Sequence, residues 1–142
     1  MPASALDVAQ FILEKQGPMT AMKLQKLVYY CQAWSLVWEK QLFPDAIEAW
    51  ANGPVTPRLY RAHRKMYEVS EIPGGDSSRL NSSQRDTIRR VLKFYGHRSG
   101  QWLSDLSHRE SPWKDARKGL DAGEGGNEEI TPQAMCEYYG SL

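Results

Sequence analysis

Between Met22 and Trp38 the apolar positions recur at helical spacing, with too few polar interruptions to leave a water-facing side. At about 100° per residue, Leu24, Leu27, Val28, Tyr30, Cys31, Trp34, Val37 and Trp38 fall on one arc roughly 180° wide. Tyr29, Ala33 and Leu36 occupy much of the opposite side. A helix apolar nearly all round must be covered by other elements. The pattern therefore predicts a buried central helix over residues 20–40, with Thr20 as its N-cap.

Ahead of it, Ala5, Val8, Ala9 and Ile12, widened by Phe11 and Leu13, predict a first helix. Ser4 caps it, Asp7 stands in the capping-box position, and Gly17-Pro18 stops it. After Lys40 the period changes. Phe43-Pro44-Asp45-Ala46 reads as a turn, and Ile47-Glu48-Ala49-Trp50 alternates with period two, which predicts a short strand. Gln41-Leu42-Phe43 is the candidate second arm, giving at most a short β-hairpin near 41–50. Asn52-Gly53-Pro54 then breaks the chain.

Thr56-Pro57, Ser111-Pro112 and Thr131-Pro132 each place proline after a capping residue, which predicts three helix starts. The first helix of these runs to about Tyr67, with Leu59, Ala62, His63 and Met66 inward. Asn81 or Ser83 caps another, whose Ile88, Val91, Leu92 and Tyr95 have core-face spacing and which Gly96 ends. Ser99 caps a short helix carrying Trp102, Leu103 and Leu106. The helix from Ser111-Pro112 ends at Gly119, and the last, from Pro132, buries Met135, Tyr138 and Tyr139. Residues 73–78 and 119–127 read as loops. Without an internal repeat or a dividing linker, residues 1–142 are expected to form one compact, mainly α domain around the central helix.

Composition and charge narrow the picture further. Charged and apolar fractions of 25% and 41% are those of an ordinary folded protein, and no apolar run approaches the roughly 18 residues of a membrane span. The start of the chain lacks a signal-peptide pattern, and two cysteines make no disulfide scaffold, so a reducing cytoplasm is the expected location. The net charge of +1 is unevenly spread: residues 56–98 carry ten Lys/Arg against four Asp/Glu, and residues 99–142 carry four against eight. Such a basic middle and acidic tail either bind a charged partner or neutralise each other within the fold.

Most catalytic chemistry finds no support. The Cys and His residues are too scattered for a metal, and His108-Arg109-Glu110 is only half of a zinc-deaminase signature. The glycine pairs lack the strand-to-helix setting of a phosphate loop, and Cys31 sits where a thiol is an inert core residue. Neither a cofactor nor an enzyme is implied. Arg58, Arg61 and Lys65 form one basic row, and Arg85, Arg89 and Lys93 another. Side by side they would make a nucleic-acid face, although solvated amphipathic helices show the same rows. Trp50 and Trp113 are candidate anchors for a protein partner, whereas Tyr29 reads as core.

Several blocks together resemble a known family. Lys23-Leu24-Gln25-Lys26-Leu27-Val28-Tyr29-Tyr30, Ile47-Glu48-Ala49-Trp50, Gly53-Pro54-Val55 with Tyr60, Leu103 to His108, Ser111-Pro112-Trp113 and Ala116-Arg117 are similar in order and spacing to the Panacea domain of SocA-like and GepA-like, phage-associated antitoxins. No DNA-binding or toxin-like module is appended, so the bare domain is expected. The resemblance implies an antitoxin in a bacterial cytoplasm that neutralises, by direct contact, a protein toxin encoded beside it. It further implies, for one branch, an adaptor that delivers its toxin to a AAA+ protease. The expected partner-binding residues are Trp50, Asn52, Gly53, Pro54, Val55, Tyr60, His108 and Trp113.

Overall fold

A computed structural model describes residues 2–142. Helix α2, Ala21–Trp38, is the axis of the fold, and every residue from Leu24 to Ala33 is buried, including Gln25, Lys26 and Gln32. The Thr20 hydroxyl accepts from Lys23 N–H at 3.2 Å and starts it. Helices α1 (Ala5–Gln16), α4 (Ser82–Tyr95), α5 (Gly100–Arg109) and α7 (Pro132–Gly140) pack on α2, as does the shorter α3 (Pro57–His63). A short α6, Ser111–Ala116, joins α5 towards α7.

The cap signals place the outer helices well. Ser4 and Asp7 form a reciprocal box at the head of α1, Asn81 and Gln84 do the same for α4, and Ser99 and Thr131 cap α5 and α7. The strands are short and antiparallel. β1 (Met19–Thr20) pairs with β4 (Glu68–Val69), while β2 (Ile47–Trp50) lies between β3 (Gly53–Val55) and β5 (Glu129–Ile130). The chain is thus mainly α, as the periodicity predicts.

Several local expectations are corrected. The second arm of the hairpin is Gly53–Val55, with Trp50 opposite Gly53, and not Gln41–Phe43. The backbone at 42–43 is satisfied from α2 instead: the Gln32 amide accepts from Leu42 N–H and donates to Phe43 O, each at 2.7 Å. Helix α3 stops at His63, short of Tyr67, because the chain turns through Lys65 at φ 76° to bring β4 against β1, leaving Met66 exposed. Helix α6 has Glu110, not Ser111, as its N-cap residue, and it ends at Ala116 before Gly119. In α7, Met135 and Tyr139 are buried while Tyr138 is only half-buried.

Glu110 explains the shift at α6. Its Oε1 accepts from the Tyr30 hydroxyl at 2.6 Å and the Tyr139 hydroxyl at 2.8 Å. Tyr139 has then spent its one hydrogen, so Tyr29, 2.9 Å away, donates to it. Tyr95 stacks on Tyr30 with ring centroids 4.4 Å apart and accepts from the Trp34 indole at 3.0 Å. Burial pushes the Glu110 carboxyl above its usual range, and the two tyrosine donors oppose that. This polar seam ties α2, α4, α6 and α7 together. Glu110→Ala is expected to destabilise the fold by about 1–3 kcal/mol for each hydroxyl left unpaired. Glu110→Gln, which keeps an acceptor, should lose less; urea unfolding of the three proteins measures both.

Candidate functional site

The turn between β2 and β3 is held almost carbonyl by carbonyl. Ala49 O accepts from the Arg117 guanidinium at 3.1 Å and Trp50 O from the Trp113 indole at 2.8 Å. Ala51 O faces His108 Nε2 at 3.1 Å, and Asn52 O accepts from Ser104 Oγ at 2.8 Å. Pro54 O accepts from Lys26 Nζ at 3.3 Å. Gln25 brackets Thr56, accepting from its N–H at 2.9 Å and donating to its carbonyl at 3.3 Å. Such bonds contribute about 1 kcal/mol each, and together they fix a segment that two short strands alone would leave mobile.

The glycine in the turn is obligatory. Gly53 has φ 122°, and a Cβ there would lie 2.5 Å from Lys26 Cε. The approach that lets Lys26 reach Pro54 O therefore requires the missing side chain.

Beside the turn lies a pocket of about 410 Å³, bordered by Met22, Lys26, Trp50, Val55, Tyr60 and His63. Trp50 and Tyr60 meet edge to face with centroids 5.0 Å apart, and Tyr60 meets His63 in the same way at 5.6 Å. The Trp50 indole donates to Glu48 Oε1 at 2.9 Å. Because Gln25 Oε1 is committed to Thr56 N–H, it is Gln25 Nε2 that faces His63 Nε2 at 3.0 Å. An amide nitrogen only donates, so His63 Nε2 carries no proton and the ring is the neutral Nδ1–H tautomer.

Two basic groups here are shifted by their surroundings. Burial lowers His63, helped by the nearby Lys26 charge and opposed by a backbone hydrogen bond. Lys26, only 2% exposed, is lowered by burial to about 8. Among the described residues it makes no ion pair.

The structure gathers the residues singled out from the sequence. Trp50, Asn52, Val55 and Tyr60 line the pocket, Gly53 and Pro54 shape the turn, and His108 and Trp113 support it from behind, their rings tilted against each other with centroids 4.0 Å apart. His108 and Glu110, the half-signature, serve two different places: the turn and the tyrosine seam. Sequence reasoning passed over Gln25, Lys26, His63, Ser104 and Arg117 as site residues. The available signal was the polar pair Gln25-Lys26 inside a helix with no solvent face.

The basic rows are partly spent. Arg58 pairs with Asp45 at 3.1 Å and Arg89 with Asp86 at 3.0 Å, while Arg85 donates to Ser77 O at 3.0 Å and lies over Phe11. Arg61, Lys65 and Lys93 are exposed, and α1 packs against both α3 and α4. A second groove of about 450 Å³ runs among Trp34, Trp38, Arg90, Phe94 and Tyr95, with Arg90 over the Trp38 ring at 3.9 Å.

Two tests address this geometry. Gly53→Ala should lose about 1–3 kcal/mol of stability from the left-handed backbone alone, read by thermal or urea unfolding. For His63 the sign is that of a depressed base. Between its lowered folded value and 6.5 the unfolded chain binds the extra proton, so the contribution is complete above pH 6.5 and is lost as pH falls towards the folded value. Melting curves from pH 8 to 5 should fall more steeply for the parent than for His63→Gln.

Among curated proteins and among solved structures no match is found. A family model, antitoxin SocA-like, Panacea domain, matches residues 24–114, which take in α2 from Leu24 on, the clamped turn and its donors from Gln25 to Trp113. No helix of the described residues is long and apolar enough to cross a membrane. The chain belongs to the SocA-like antitoxins of the Panacea-domain family, and so to toxin–antitoxin systems.

Proposed function

We propose that this antitoxin acts without catalysis in the bacterial cytoplasm, as a single unit over residues 1–142. It holds a protein toxin encoded by a neighbouring gene in an inactive complex by direct contact. The surface is the clamped turn with Trp50, Asn52 and Tyr60. One observation carries the reading: Trp50, half-exposed and paired edge to face with Tyr60 of α3, stands on a backbone whose carbonyls are fixed from three helices. Aromatic side chains supply most binding hot spots, and a surface already rigid in the free protein loses little freedom on association.

The roles divide accordingly. Trp50 and Tyr60 are the anchors, while Gly53, Pro54 and Val55 set the shape of the turn. His108 and Trp113 position it from behind through Ala51 O and Trp50 O.

Co-expression of the neighbouring reading frame with and without this protein tests the reading. Growth arrest relieved by the parent is expected, and equal arrest in both cultures would remove the antitoxin role. Trp50→Ala and Tyr60→Ala, confirmed to melt like the parent, should each weaken the purified complex about tenfold or more. Full affinity in both variants would move the interface elsewhere.

A further inference from the structure

Lys26 is costly where it stands. Its ammonium is buried, no carboxylate pairs with it among the described residues, and one of its three hydrogens goes to Pro54 O at 3.3 Å. A neutral donor would make that bond without desolvating a charge. The fold nevertheless clears a path for it, since Gly53 leaves open the space a Cβ would fill against Lys26 Cε. Burial lowers the ammonium to about 8. Between 8 and 10.5 the unfolded chain binds more protons, so the penalty is full at neutral pH and is relieved as pH rises through that window.

Around this cation the walls are apolar. Met22, Val55 and the Trp50 and Tyr60 rings line the same pocket, whose volume of about 410 Å³ holds a group of amino-acid size. His63, the imidazole on the wall, is neutral and already bonded to Gln25. A single ammonium with hydrogens to spare matches one carboxylate; a phosphate dianion would bring a second negative charge, and the lining holds no second cation to meet it. The edge-to-face aromatic pair suits a flat or branched apolar group next to that carboxylate.

We infer that the pocket between α2, the β2–β3 turn and α3 is a carboxylate-binding site, in which Lys26 pairs with a carboxylate of the partner protein carried beside an apolar side chain. This deepens the proposed function and rests on it for the identity of the partner. The carboxylate supplies the counter-charge that the free fold lacks, so toxin contact and relief of the buried cation occur together.

The test uses the full chain and two defined probes, N-acetyl-L-phenylalanine and N-acetyl-L-phenylalaninamide, followed by amide and indole NMR shifts at Trp50, Gly53 and Val55. The acid is expected to bind at millimolar concentration, and the amide at least about tenfold more weakly. Lys26→Met should melt at or above the parent temperature and lose binding of the acid. Lys26→Gln, which keeps a donor for Pro54 O without the charge, decides the matter if the Met variant melts lower. Equal binding of acid and amide, no binding of either, or unchanged binding in both variants would overturn the site. Folded Lys26 variants that still neutralise the toxin in full would overturn its role in the complex while leaving the antitoxin reading intact. A parent that binds the acid yet never relieves toxin arrest would overturn the antitoxin reading and leave the pocket standing.

Discussion

Polar side chains buried in an apolar helix must find partners, and in α2 they find them in the backbone of a neighbouring segment. Gln25 and Gln32 stand two helical turns apart, and each uses its amide as the edge of a strand would. Gln32 takes up Leu42 and Phe43, and Gln25 takes up Thr56. Between them Lys26 reaches Pro54 O. The irregular chain from 42 to 56 is thereby strung along the central helix, and the hairpin at its middle inherits the rigidity of the core.

The rest of the architecture follows from covering that helix. Its other polar seam, formed by Tyr29 and Tyr30, closes on Glu110 and Tyr139 and brings α6 and α7 into place. With α6 fixed, Trp113 and Arg117 reach Trp50 O and Ala49 O, and α5 presents Ser104 and His108 to the tip of the turn. Core and site are therefore built on the same helices through two separate hydrogen-bond networks, and the turn carrying Trp50 is backed by side chains from three helices. Under the proposed interface, variants in the supporting set will show lost function through lost geometry, whereas variants of the half-exposed Trp50 and the exposed Tyr60 report on contact itself.

Much of the fold was legible in the sequence because its signals are local. The all-round apolar run named the central helix, the Ser4–Asp7 box and the cap at Asn81 or Ser83 named helix starts, and period two named the strand at Ile47–Trp50. Strand β3 was not legible, since Gly-Pro-Val is too short to show alternation and its backbone is recruited from α2. The end of α3 at His63 depends on the pairing of β4 with β1, which no residue in the helix announces. For the site, Trp50, Asn52, Gly53, Val55, Tyr60, His108 and Trp113 were named and do assemble around one turn. The partners of Glu110 lie 80 and 29 residues away in sequence, and Gln25 meets Thr56 across 31, so no spacing rule links them. Two polar residues in a helix without a wet side were the one clue.

Rigidity of the turn in the free protein is the claim on which the function depends, and amide hydrogen exchange measures it directly. The Thr56 N–H is held by Gln25 and the Ala49 N–H by Glu128 O. If the segment shares the stability of the core, both amides exchange nearly as slowly as those in the middle of α2, and slow exchange at Thr56 is lost in Gln25→Ala. Exchange of both at the rate of an exposed loop, with α2 still protected, would contradict a turn preorganised by the central helix.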